Sequence, residues 1–172
     1  LKKRKYQIVL SVGTRAGFKL AKSIYAKDSS VFVTVIPFDC VKTVKSFLSN
    51  LQPTAVFFVE TELWPLFVSE CKKKSIPLFW LNGRVSDRAF KSTGLYQIAL
   101  SWMIPQFDLC LMRSLEDLRK ASLISNSGNF GNIKGVCLGD IKYDKPFRKS
   151  TLKRSNFAKK DERIIVLGSS HD

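Results

Sequence analysis

Two carboxylates, Glu60 and Glu62, stand between the apolar run Ala55-Val56-Phe57-Phe58-Val59 and the pair Trp64-Pro65. Acids so placed have two chemical uses. They can act on a ligand as proton acceptors or hydroxyl-binding groups, and behind an apolar strand desolvation raises a carboxyl pKa unless a cation or donor answers it. They can also begin a helix, where the dipole favours each acid by roughly 0.3–1 kcal/mol and Pro65 suits the first turn. The spacing leaves both uses open. A second cluster, Arg84, Ser86 and Arg88, also reads two ways. Two guanidiniums beside free backbone N–H groups suit a phosphate or carboxylate, whereas the plainer reading makes Ser86 a helix cap with Asp87 in the first turn.

Other candidates carry less. Gly13-Thr14-Arg15-Ala16-Gly17 has neither the spacing of a dinucleotide loop nor the ending of a P-loop, so it reads as a tight strand-to-helix turn. Ser170-His171-Asp172 contains the residue types of a hydrolytic triad, but three adjacent residues do not reach that geometry. His171 is the only histidine, and Cys40, Cys71, Cys110 and Cys137 are too far apart for a zinc or haem ligand set. No metal is expected, and the thiols read as reduced and half-buried in a cytosolic protein.

The elements that must hold these residues follow from periodicity. Short apolar strands are predicted at 7–12, 31–36, 54–59, 77–81, 109–112, 136–138 and 164–167, and helical stripes at 16–27, 41–51, 63–74 and 114 onward. The stretch 87–104 reads as helix with a break near Gly94, ended by Pro105. Asp39 is the expected cap of the helix that starts at Val41, and Ser114-Leu115-Glu116-Asp117 is a capping signature. Strands that are apolar throughout and alternate with helices describe an α/β, Rossmann-like parallel sheet covered on both faces. Ligands bind outside the carboxyl ends of such strands, the rim where both clusters fall. Trp64, Phe67 and Trp102 are assigned to the core.

With 29 Lys+Arg against 14 Asp+Glu the formal charge is +15, so the partner is polyanionic: a nucleic acid, an anionic membrane or a phosphorylated substrate. No strand interleaves basic and aromatic residues as an RNA-binding sheet does. No apolar run approaches the ~20 residues that span a bilayer, and no signal-peptide pattern opens the chain. Residues 142–163 lose apolar periodicity and are crowded with Lys and Arg. The expected organisation is a first domain at 1–146, incomplete at its start, a basic linker at 147–163, and the beginning of a second domain at 164–172, in a fragment cut at both ends.

In order and spacing the rim motifs resemble those of Kdo transferases, the bacterial enzymes that add 3-deoxy-D-manno-octulosonic acid (Kdo) to lipid A precursor. Glu60-Thr61-Glu62-Leu63-Trp64-Pro65 matches the family's ETELWP, and Asn82-Gly83-Arg84-Val85-Ser86-Asp87-Arg88 resembles N-A-R-L-S-x-R. Gly139-Asp140-Ile141-Lys142-Tyr143-Asp144 resembles G-N-x-K-F-D, and Gly168-Ser169-Ser170-His171 is similar to G-S-T-H. Gly83, Asp140 and Leu66 depart from the usual alanine, asparagine and asparagine.

The resemblance implies the acceptor lobe of a two-lobed GT-B glycosyltransferase, followed by the first strand of the sugar-nucleotide lobe. It implies catalytic roles for Glu60 and Glu62, and substrate contacts from Arg84, Ser86, Arg88, Lys142, Ser170 and His171. The implied reaction is inverting and metal-independent, with CMP-Kdo as donor, lipid A precursor as acceptor and no separate cofactor. The general base is expected in a Gly-Glu segment upstream of Leu1, so this piece alone is expected to be inactive. Attachment would be peripheral, on the cytoplasmic face of the inner membrane or on an organellar membrane in a eukaryote, with no nucleic-acid partner. A different GT-B glycosyltransferase and a basic nucleic-acid-binding α/β module are the alternatives.

Overall fold

The computed structural model describes residues 6–127 and 132–144. Strands and helices alternate along the chain. They are β1 (Ile8–Val12), α1 (Arg15–Ile24), β2 (Val31–Val35), α2 (Val41–Leu51), β3 (Val56–Val59), α3 (Pro65–Lys73), β4 (Leu78–Gly83), α4 (Asp87–Phe90), α5 (Leu95–Met103), β5 (Leu109–Met112), α6 (Leu115–Ser127) and β6 (Gly135–Cys137). Short 3-10 helices occupy Ile104–Gln106 and Ile141–Asp144. Every strand pairing is parallel, so the fold is α/β as the alternation of apolar runs and helical stripes requires.

The strands form two sheets, β1-β2 and β3-β4-β5-β6, rather than one. Burial follows that division. In β4, flanked by β3 and β5, Leu78, Trp80, Asn82 and Gly83 are buried, whereas Phe57 and Val59 of β3 are exposed, as are Ile8 of β1 and Phe32 and Val35 of β2. The expectation of strands covered on both faces therefore holds for β4 and fails for β1, β2 and β3. Among the described residues β1 pairs only with β2, and β3 only with β4. An apolar run in sequence records what a strand could bury, not which neighbours are present.

The core lies between the larger sheet and helices α2, α3, α5 and α6. Phe58 meets Phe67 and Phe107 edge-on at 5.6 Å each, and Trp80 lies tilted against Phe107 at 5.9 Å. Burying an aromatic of this size contributes about 1.5–3 kcal/mol. Phe67 is thus core, and Trp64 and Trp102 pack half-buried against the same cluster. Gly94, at φ 71°, separates α4 from α5 where the break was expected. Pro105 sits inside the 3-10 turn that follows α5 and does not end the helical path by itself.

Side-chain bonds open α1 and α6, and the cap expected at Asp39 is absent. Thr14 Oγ1 accepts from Gly17 N at 3.1 Å, which makes the Gly13–Gly17 segment a capped strand-to-helix turn. Ser114 Oγ accepts from Asp117 N at 3.0 Å at the start of α6. Asp39 does not cap α2, whose N-cap position is Cys40 without a side-chain capping bond. Its carboxylate instead accepts from Leu66 N at 3.2 Å and Phe67 N at 2.9 Å, the first turn of α3. Pro65 has no N–H and Trp64, at the N-cap position, makes no capping bond, so the first free donors of α3 are met by a residue from another loop.

The chain divides into two units, Leu1–Asp140 and Ile141–Asp172. Of the second, only the 3-10 helix Ile141–Asp144 is among the described residues; the expected linker at 147–163 and strand at 164–167 lie outside them.

Candidate functional site

Glu60 closes β3 with φ 56°, in the left-handed region, which costs a residue with a side chain about 1–3 kcal/mol unless its surroundings hold it there. They do so at two points. Glu60 N donates to Leu81 O at 3.1 Å, and Glu60 O accepts from Trp80 Nε1 at 2.6 Å, so the backbone at this acid is fastened to β4 from both sides. The chain then turns through exposed Thr61 and Glu62 before α3 begins. Helix capping does not explain either acid, because Asp39 takes the donors that a capping side chain would serve. Glu62 makes no side-chain hydrogen bond or ion pair among the described residues.

The neighbouring strand ends in a similar way. Asn82 has φ 52° and is buried, the pairing of β4 with β5 shifts register between Leu81 and Gly83, and Asn82 Nδ2 donates to Asp140 Oδ1 at 3.2 Å just beyond β6. One amide thereby ties the carboxyl ends of β4 and β6 together across β5. A Cβ at Gly83 would lie 2.6 Å from Met112 Sδ and 3.1 Å from Trp80 Cδ2, so glycine here accompanies a methionine that fills the space.

The corner 84–86 is held from α6. Val85 N donates to the buried Asp117 carboxylate at 2.8 Å; the same carboxylate accepts from Ser114 Oγ and lies 3.3 Å from Arg113 Nη2. Ser86 Oγ accepts from Ala89 N at 3.1 Å, so its capping role is present. Asp87 pairs with Lys120 Nζ at 2.6 Å, and that hydrogen bond, with smaller help from the charges of Lys91 and Arg84, holds its carboxyl below the usual range. Arg84 and Arg88 are exposed and form no hydrogen bond or ion pair among the described residues.

The structure brings part of the two clusters to one cavity, and neither Glu60 nor Glu62 lines it. Thr61, lying between the two acids, shares one pocket of about 310 Å³ with Arg84 and Ser86. Arg88 does not line it. Lys142 is exposed in the 3-10 helix of the second unit, and Ser170 and His171 lie outside the described residues. The sequence did not single out Tyr96, gave Thr61 only as part of a motif, and read Asp39 and Asp117 only as local helix-start residues. Asp117 carried a signal, as the acid of a capping signature, but not the signal that it supports a loop 32 residues away.

Cys71 and Cys110 are buried, with burial pushing each thiol up to about 12, while Cys40 and Cys137 are half-buried. No disulfide links them. Among the described residues no three His, Cys, Asp or Glu side chains form a metal-sized group, and no helix is long and apolar enough to cross a membrane.

The sequence is similar to known proteins. The family model described as 3-deoxy-D-manno-octulosonic-acid transferase (kdotransferase) matches residues 1–145. The chain is 31% identical over 143 residues to a 3-deoxy-D-manno-octulosonic acid transferase of Rickettsia bellii, covering 80% of this chain and 32% of the relative. It is 26% identical over 174 residues to one of Chlamydia trachomatis serovar D, covering 96% of this chain and 38% of the relative. A bifunctional glycosyltransferase/methyltransferase of Fusobacterium nucleatum is 27% identical over 169 residues, which is 95% of this chain and 26% of that protein. The chain therefore spans between a quarter and two fifths of the relatives it matches.

Proposed function

Because this chain belongs to the 3-deoxy-D-manno-octulosonic-acid transferase family, we propose that it forms the acceptor side of an enzyme that moves Kdo from CMP-Kdo to a phosphorylated lipid A precursor. The observation that carries this reading is the shared pocket. Thr61, between the two acids at the end of β3, and Arg84 and Ser86, beyond the end of β4, line one cavity, at the strand ends where parallel sheets bind ligands; Glu60 and Glu62 flank Thr61 without lining it.

The roles divide by chemistry. Arg84 offers a fork of donors to an acceptor phosphate. Arg88, in α4, adds positive charge. Glu60, with its backbone fixed, and Glu62 accept hydrogen bonds from the acceptor's sugar hydroxyls and orient the one that attacks. In the transfer a carboxylate takes the proton of that hydroxyl, its oxygen bonds to the anomeric carbon of Kdo with inversion, and the bond to CMP breaks with CMP leaving as the anion. The base belongs to a Gly-Glu segment expected before Leu1. The second lobe, expected from residue 164 with Ser170 and His171 at its start, holds the donor, and Lys142 lies just before the linker. Orientation by two lobes supplies much of such a rate.

Attachment follows from charge and exposed apolar surface. The +15 excess favours an anionic leaflet by about 1 kcal/mol per cation close to the surface. On α5, Leu95, Tyr96 and Ile98 are exposed, with no charged residue in the helix. Co-sedimentation with anionic vesicles should fall as salt rises; equal binding to neutral and anionic vesicles at low salt would remove the electrostatic account.

A donor screen tests the function. The full-length protein should release CMP from CMP-Kdo in the presence of lipid A precursor and leave UDP- and GDP-sugars intact. Turnover of a UDP- or GDP-sugar instead would assign it to another GT-B activity, and salt-sensitive binding to DNA or RNA without transfer would favour the nucleic-acid module.

A further inference from the structure

We infer that Lys120 of α6 is a positioning residue for the rim: by holding the Asp87 carboxylate it keeps Arg84 and Arg88 open to an anionic ligand. This rests on the reading of the rim as an acceptor site. The segment after β4 carries an acid among its cations, since Asp87 stands three residues after Arg84 and directly before Arg88. A carboxylate so placed competes with any ligand anion for the same positive charge unless another cation takes it. Lys120 takes it, with Nζ 2.6 Å from Asp87 Oδ1 and its own side chain only 13% exposed. Arg84, Val85, Ser86 and Ala89 line the cavity, and Asp87, in the middle of that stretch, does not.

The other acid that touches this corner is treated in the same way. Asp117 is answered by Val85 N, Ser114 Oγ and Arg113, so neither acid is left for the rim arginines. Lys120 also lies 3.6 Å from Glu116, an acid that Arg119 reaches at 3.7 Å, so losing the lysine frees chiefly Asp87. The cations then left to Asp87 are Lys91 and Arg84, whose charges already act on its carboxyl. Arg84 would share its charge between that carboxylate and the ligand. A tie that only fastened α4 to α6 would behave differently, because breaking it from either end would have the same effect.

The test uses the full-length protein with Lys120→Met, Asp87→Asn and the two together, methionine keeping most of the lysine stem. Binding of lipid A precursor in detergent micelles is measured at low salt, with melting temperature alongside. A unit charge a few ångströms from an exposed partner changes affinity by about threefold or more in water. Lys120→Met should therefore bind about threefold or more weakly, and Asp87→Asn and the double variant should stay within about twofold of wild type. The loss in Lys120→Met should shrink as salt rises, since exposed charges are screened over about 8 Å at physiological ionic strength. All three variants lack the ion pair, so any fall in melting temperature should be shared while affinity separates them. Wild-type affinity in Lys120→Met would overturn the inference. A loss in Asp87→Asn or in the double variant equal to that in Lys120→Met would overturn it too, and leave a structural tie. Arg84→Ala tests the underlying reading separately: if it binds as tightly as wild type, the acceptor reading of the corner falls and this inference with it, whereas a weakened Arg84→Ala beside an unaffected Lys120→Met removes this inference alone.

Discussion

Replacing Asp39 by alanine should destabilise the protein by about 1–3 kcal/mol, although the residue lies more than 25 positions from the helix it serves. Its carboxylate accepts from Leu66 N and Phe67 N, the donors left over after Pro65 at the start of α3. Losing an N-cap acceptor costs about 0.5–2 kcal/mol, and losing a negative charge at a helix N-terminus adds about 0.3–1. For a chain of this length each kcal/mol lowers the melting temperature by about 2–4 °C, so a fall of about 2–12 °C is expected in a thermal scan followed by circular dichroism. Glu62→Ala, by contrast, should move the transition by about 1 °C or less, because Glu62 caps nothing. The comparison decides whether the acids of the Glu60-Thr61-Glu62 segment are structural. A loss at Glu62→Ala equal to that at Asp39→Ala would refute the assignment of the cap and return Glu62 to a helix-start role.

That pair of residues also marks where sequence reading stops. The alternation of strands and helices, the break at Gly94 and the Ser114 cap were legible because each depends on residues a few positions apart. The cap of α3 was not, because it joins the loop after β2 to a helix beyond β3 and only tertiary placement creates it. The same holds for Asp117, which sequence read as part of a local capping pattern and which also holds Val85. The left-handed backbone at Glu60 left no trace in sequence, since nothing in the residue type asks for φ 56° and the conformation is imposed by Leu81 and Trp80. The burial of β3 was overstated for the opposite reason: Ala55-Val56-Phe57-Phe58-Val59 is apolar throughout, yet only Phe58 is buried. The meeting of Thr61 with Arg84 and Ser86 at one cavity was partly legible, because adjacent parallel strands bring their carboxyl ends to one rim.

Two further outcomes follow from the same geometry. Asp117→Ala should cost about 2–5 kcal/mol, from the buried Val85 N–H left without an acceptor and the loss of a charged partner for Ser114 and Arg113, and it should weaken acceptor binding through the loosened Arg84 corner; unchanged melting and binding would show that the corner holds itself. In iodoacetamide labelling of the folded protein at pH 8, Cys71 and Cys110 should stay unmodified, since thiols near 12 hold almost no thiolate there, while Cys40, lowered by its hydrogen bond with Thr43, should react first. Labelling of Cys71 or Cys110 at the rate of Cys40 without denaturant would contradict their burial.

The reading of the rim is tested most directly by Kdo transfer from CMP-Kdo to lipid A precursor in the full-length protein carrying Glu60→Gln or Glu62→Gln, with melting temperature measured alongside. The account predicts that Glu60→Gln lowers kcat by about 100-fold or more while the melting temperature shifts by no more than about 2 °C, and that Glu62→Gln gives a smaller loss of the same kind. Near-wild-type transfer by both variants would contradict it and remove the two acids from the chemistry.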